Sequence, residues 1–214
     1  MGCDNKNASG RGWRREDRSM GLNAIEVETD WQGWLDDYAT RYRSIFAPDA
    51  RAKAVAFHDL AVAVRERKRK LMLAGNGGSA ATASHLTVDF TKQAKLRAVC
   101  FSDPALITAF ANDYGFEDSL AKAVEFYADE GDALVLISVS GRSPNVLAAA
   151  RYAKGRGMPV VSFTGTSRDN PLRAASDIDF FVDSRAYNIV ECTHMIWLTT
   201  VVDMLMGKAE YTVS

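Results

Sequence analysis

Cysteine is scarce in this 214-residue chain: Cys3, Cys100 and Cys192 are the whole supply. They form no CxxC pair and are odd in number, so a disulfide framework is excluded and a reducing cytoplasm is the expected compartment. Long apolar runs are also missing; none reaches the roughly 18 residues a membrane span needs, and the N-terminus lacks the apolar stretch of a signal peptide. Met1-Gly2-Cys3 resembles the opening of a lipidation signal, but Lys6 breaks the myristoylation pattern. Charge of one sign is absent as well. Lys and Arg number 26 against 27 Asp and Glu, a net charge of -1, so no general field draws the chain to nucleic acid or an anionic membrane. An anionic ligand has to be held by a local site.

Residues 1–20 are rich in Gly, Asn, Arg and Asp without apolar period, and read as a disordered tail. Met20 precedes the first patterned stretch and is a candidate start. The remainder, 21–214, reads as a single domain. Two helices are expected over about 30–68, the first from Asp30 to Phe46 with Trp31, Trp34, Leu35, Tyr38, Tyr42 and Ile45 at helical spacing. Its aromatic stripe suits either core or a subunit interface. Asp49 is expected to cap the second helix, ending near Lys68.

From residue 69 to about 206 short apolar runs alternate with helix-length segments. The runs are Leu71–Ala74, Ala98–Phe101, Ala133–Ser138, Val160–Phe163 and Ile178–Val182. Helices are expected near 79–94, 115–128, 144–155, 169–175 and 188–206. Uninterrupted apolar strands alternating with helices predict an α/β fold: a five-stranded parallel sheet covered on both faces, doubly wound. Ligands of such folds bind at the carboxyl ends of the strands.

Two strand-to-helix turns fall at such ends. In Gly75-Asn76-Gly77-Gly78-Ser79 three glycines let a ligand approach the backbone closely, and the helix start offers N–H groups to an anion. The spacing matches neither the dinucleotide fingerprint nor Walker A. In Ser138-Val139-Ser140-Gly141-Arg142-Ser143-Pro144-Asn145 three hydroxyls surround a glycine, with Ser143 at an N-cap position and Pro144 at the first helical one. A capped turn needs one serine; three, with backbone amides, suit a phosphate held without a cationic cluster.

Gly75-Asn76-Gly77-Gly78-Ser79-Ala80, His85, Asn112-Asp113-Tyr114-Gly115-Phe116 and Ser138-x-Ser140-Gly141-x-Ser143-Pro144-Asn145, in this order, resemble the sugar isomerase (SIS) domain family, most of all its phosphoheptose isomerase branch. That branch converts sedoheptulose 7-phosphate into a heptose 7-phosphate. The resemblance implies that Ser138, Val139, Ser140 and Ser143 hold the phosphate. It implies sugar contacts from Asn76, Gly77, Gly78, Ser79, Asn112 and Asp113, and a homotetramer with sites near subunit interfaces. The branch also binds zinc through a His and a Glu four residues apart, joined by a Gln and a His of the last helix. Here the first pair is His85 and Asp89, while the last helix aligns in two registers. One sets Glu191 and Thr199 at the ligand positions; the other sets Val190 and Leu198 there, and His194 is a lesser candidate. The distal histidine is missing in both.

An aldose-ketose isomerisation needs a base beside the reacting carbon and stabilisation of a developing oxyanion. Asp89 is the expected base with Glu191 as alternative or partner, and His85, with zinc if bound, polarises the carbonyl. A missing distal histidine beside an intact phosphate turn equally fits a non-catalytic sugar-phosphate-binding regulator, such as the replication-initiation-associated member of the family. Arg142 reads as a solvated loop residue, with an altered sugar preference as the other possibility.

Overall fold

The apolar runs become five strands. The computed structural model describes residues 30–211; the expected tail over 1–20, the candidate start Met20 and Cys3 lie outside the described residues. Strands β1 (Lys70–Gly75), β2 (Arg97–Cys100), β3 (Ala133–Ser138), β4 (Val160–Gly165) and β5 (Ile178–Val182) form one sheet in the order β2-β1-β3-β4-β5. Every neighbouring pair is parallel. All of β3 and β4 is buried, which is why these segments are apolar throughout instead of alternating.

Alternate side chains of each strand enter opposite layers. Leu71, Leu73, Val135, Ile137, Val161 and Phe163 join Phe57, Phe90 and Trp197 on one face, while Met72, Ala74, Leu134 and Leu136 pack with Leu120, Val124 and Val146 on the other. The helices supplying these layers are α2 (Pro48–Glu66), α3 (Gly78–Lys92), α5 (Phe116–Tyr127), α6 (Pro144–Gly155) and α8 (Tyr187–Met206); α1 (Trp31–Thr40), α4 (Pro104–Tyr114) and the one-turn α7 (Pro171–Ala174) complete the order. The chain divides into two units after Asp37. The first, where described, is the opening of α1, with Trp31 and Trp34 edge to face at 6.1 Å; the sheet belongs to the second.

Several boundaries differ from the sequence reading. The first helix stops at Thr40, because Arg41, Tyr42 and Arg43 donate three residues back instead of four and tighten the chain into turns. Asp49 does not cap α2. Pro48 fixes the first helical position after Ala47, so Asp49 falls inside the first turn and pairs with Lys53 at 2.8 Å. Helix α4 was unforeseen: Asp103 caps it by accepting from the N–H groups of Ala105 and Leu106 at 2.9 and 3.1 Å. The helix expected over 169–175 shrinks to one turn after Asn170, whose side chain caps it.

By length and composition α8 could cross a membrane, yet it carries core residues such as Val190, Trp197, Leu198 and Val201 against the sheet. His194 is fully buried in this layer. Its Nε2 donates to the Thr164 carbonyl at 3.1 Å, and its Nδ1 meets no hydrogen-bond partner. Burial pushes the imidazole down to about 4, partly opposed by the Thr164 bond. The unfolded chain therefore gains this proton near pH 6.5, while the folded chain resists until about 4. Stability is full above about 6.5, falls as pH drops toward 4 and levels below it, a loss on the order of 3 kcal/mol. Urea midpoints measured across this range should fall accordingly in the wild type, and His194→Gln should flatten that limb.

Candidate active site

The strand order locates the crevice. From β1 the chain crosses through α3 to β2 on one side, and from β3 through α6 to β4 on the other, so the two connections part at the β1/β3 boundary. Both serine- and glycine-rich turns open there. Gly75 lets them meet: a methyl group on it would lie 2.8 Å from the Ile137 carbonyl and 2.7 Å from Ser79 Cβ. Gly77 turns the chain into α3 with φ +54.

Between the turns lies a cavity of about 70 Å³. Ser138, Val139, Ser140 and Ser143 form one wall, Asn76 and Ser79 another, and Tyr187 with Glu191 a third. Ser143 sits at the N-cap of α6 without making a capping bond; its hydroxyl lies 3.3 Å from that of Ser138. The Ser138 hydroxyl also accepts from Gly141 N–H at 3.2 Å, and Ser140 Oγ from Arg142 N–H at 3.2 Å. Among the described residues, no Lys, Arg or His lines the wall; Arg142 turns away toward Asp169 at 3.5 Å. An anion there meets hydroxyls and the amino end of the 12-residue α6, which suits a phosphate.

The second helix start, that of α3, already has an anion. A methyl group on Gly78 would lie 2.6 Å from Glu191 Oε1 and 2.8 Å from Oε2. Only glycine lets this carboxylate settle on the N-terminus of α3, where the dipole favours it. The two anion positions of the crevice are thus divided, one taken by Glu191 and one open at the serine turn.

The sequence-predicted residues separate into three groups. Asn76, Ser79, Ser138, Val139, Ser140, Ser143 and Glu191 share the cavity, with Gly77 and Gly78 immediately beside it. His85 and Asp89 form a pair on α3, Nε2 to Oδ2 at 3.1 Å, and neither lines the cavity. Asn112 and Asp113 belong to the last turn of α4, exposed and bonded to each other at 2.9 Å, and neither lines the cavity. Sequence reading missed Tyr187 and Asn145. Tyr187 precedes Glu191 by one helical turn, a spacing that pointed to it; Asn145 stood inside the quoted motif without a role.

The two registers of the last helix are now distinguishable. Val190, His194 and Leu198 are fully buried toward the sheet. Glu191 abuts the start of α3, and twelve residues on, Asp203 lies beside Asp89; burial, then this neighbour, raises its carboxyl. Positions 191, 195, 199 and 203 therefore form the stripe along α3, which favours Glu191 and Thr199 over Val190 and Leu198.

Residues 34–165 match the family model of the SIS domain. The chain belongs to the SIS domain family. A phosphoheptose isomerase of Fusobacterium nucleatum is 37% identical over 140 residues, 63% of this chain and 72% of that protein. The solved phosphoheptose isomerase of Neisseria gonorrhoeae shares 30% identity at a TM-score of 0.71, covering 81% of this chain and 98% of its own. That of Francisella tularensis shares 28% at 0.74, covering 83% and 96%. The SIS-domain match ends before α8, which nevertheless brings Glu191 and Tyr187 into the cavity.

The zinc set implied by the resemblance does not fit this chain as folded. Among the described residues no three of His, Cys, Asp and Glu converge as metal ligands. Glu191 sits at Gly78, seven residues and about 10 Å of helix rise from His85. His194 points into the core, and the Thr199 hydroxyl returns to the Met195 and Ile196 carbonyls at 3.0 Å each.

Proposed function

We propose that this SIS-domain protein is a phosphosugar isomerase of the phosphoheptose isomerase type, acting on sedoheptulose 7-phosphate or a related sugar phosphate. The observation carrying this is the serine-lined cavity at the switch point with the Glu191 carboxylate in its wall. The relatives' names supply the reaction class. The cavity of about 70 Å³ takes the phosphate end of the substrate. The phosphate enters it, bonded by Ser138, Ser140 and Ser143, and that grip orients the remote carbonyl end.

Glu191 is the carboxylate in the cavity wall and is taken as the base. As general base it removes a proton from the hydroxyl-bearing carbon beside the carbonyl, giving an enediol, and returns one to the former carbonyl carbon. Tyr187, in the same wall, is taken to donate to the developing oxyanion. Asp89, paired with His85, is the second candidate for the base.

The protein acts as a homotetramer in the cytoplasm, in this reading. No residue of α4 is buried although its sequence is apolar, and Phe116 and Phe126 of α5 are exposed beside it, a surface suited to another copy. Light scattering giving a single 23.5 kDa chain would remove the tetramer.

Incubating the full chain with sedoheptulose 7-phosphate, with and without zinc, tests the function. Appearance of the aldose supports it. Binding without conversion would make the protein a non-catalytic sugar-phosphate binder.

A further inference from the structure

The two turns of the crevice are joined by one side-chain contact. Asn76 Nδ2 donates to Asn145 Oδ1 at 2.9 Å, and Asn145 Nδ2 donates back to Asn76 Oδ1 at 2.9 Å. Asn76 belongs to the glycine-rich turn after β1 and Asn145 to the first turn of α6 after β3, 69 residues apart. Asn145 is 1% exposed, whereas Asn76 is half-buried and lines the cavity.

A reciprocal amide pair alone leaves both groups free to flip together, exchanging oxygen for nitrogen without loss. A third bond removes that freedom: Val146 N–H donates to Asn145 Oδ1 at 3.0 Å. A backbone N–H requires an acceptor, so Asn145 has its oxygen there, and Asn76 must present the complementary order. The Asn76 amide then retains one N–H on Nδ2 and one lone pair on Oδ1 in fixed positions. Helix α6 thereby sets which end of Asn76 is donor and which is acceptor, through a residue that does not line the cavity.

We infer that Asn145 is a positioning residue, holding Asn76 in one orientation so that it reads the hydroxyl pattern of a sugar whose phosphate occupies the serine turn. This rests on the sugar-phosphate reading of the cavity. The serine wall itself makes no bond to either asparagine side chain, so the grip on phosphate is separate from the orientation of Asn76. Loss of Asn145 should weaken recognition of the sugar and leave recognition of phosphate intact. A buried amide kept only for packing or for the start of α6 would give no such difference.

The experiment compares Asn145→Ala, Asn76→Ala and the double variant with wild type. It measures binding of sedoheptulose 7-phosphate and of inorganic phosphate by calorimetry, with turnover measured alongside. Asn145→Ala is expected to lose about tenfold in sugar-phosphate affinity, the scale of one hydrogen-bond network, while inorganic phosphate binding stays within twofold. The double variant should lose no more than Asn76→Ala alone, since both act through one group. Equal losses for both ligands, no loss for either, or additive losses overturn the inference. Asn145→Ser, which keeps a hydroxyl at the start of α6, replaces Asn145→Ala if the latter does not fold, with the same split expected. Wild-type binding without turnover removes the isomerase assignment and still scores the asparagine pair; a wild type binding neither ligand removes both.

Discussion

Gly141→Ala is expected to lower the thermal midpoint by roughly 10 °C and to reduce sugar-phosphate affinity at least tenfold. Gly141 is the centre of the serine turn and has φ +62, a conformation costing an L-residue about 1–2 kcal/mol. A methyl group there would also strike the Asn170 side chain, coming within 2.9 Å of its Cβ and closer still to its amide. Asn170 cannot withdraw. It is buried, donates to Thr164 Oγ1 at 3.2 Å and to the Ser167 carbonyl at 2.8 Å, and accepts from Arg173 N–H at 3.1 Å. The turn is pinned on its other side, where Gly165 N–H donates to the Val139 carbonyl and Leu172 N–H to that of Gly141. Overpacking against such a support costs about 1–3 kcal/mol more, and a chain of this size loses about 2–4 °C for each. Scanning calorimetry and ligand titration read the two effects. A variant with wild-type melting and affinity would mean that the turn is far softer than its bonds indicate.

The second large effect is on turnover. Glu191→Gln keeps the shape that rests on Gly78 and removes the base, so kcat should fall by about 10²–10⁴ with phosphate affinity retained. Asp89→Ala should cost less than tenfold, because Asp89 lies along α3 away from the serine cavity and is held by His85 at 3.1 Å. The comparison separates the two candidates for the base. If Asp89→Ala abolishes activity and Glu191→Gln leaves it, the proton is moved at the His85–Asp89 pair, and the substrate extends further along the helix than the cavity indicates.

The sheet was largely legible before the structure. Ala133–Ser138 and Ile178–Val182 coincide with their strands to the residue, since a strand covered on both faces leaves an unbroken apolar run. The serine turn was legible too, because Ser143-Pro144 marks a helix start and two extra hydroxyls exceed what a cap requires. Asp103-Pro104 carries the same signature, yet α4 escaped notice because none of its residues is buried and no core face called attention to it. The metal ligands were less legible. Four residues of spacing within α3 bring His85 to Asp89, but spacing says nothing of how far along α3 the last helix sets Glu191. The pairing of Asn76 with Asn145 joins residues 69 positions apart and depends on strand order, which local patterns do not contain.

Among the described residues, no lysine, arginine or histidine stands in the wall of the serine cavity, so a phosphate bound there would be gripped by hydroxyls and backbone alone. Such a grip answers to the phosphate alone and is blind to whatever carbon skeleton follows it. Free phosphate, the product and unrelated phosphomonoesters therefore compete for the same few hydroxyls at cellular concentrations. In the cell the site would spend its time exchanging occupants, with turnover governed by how fast the wrong ones leave.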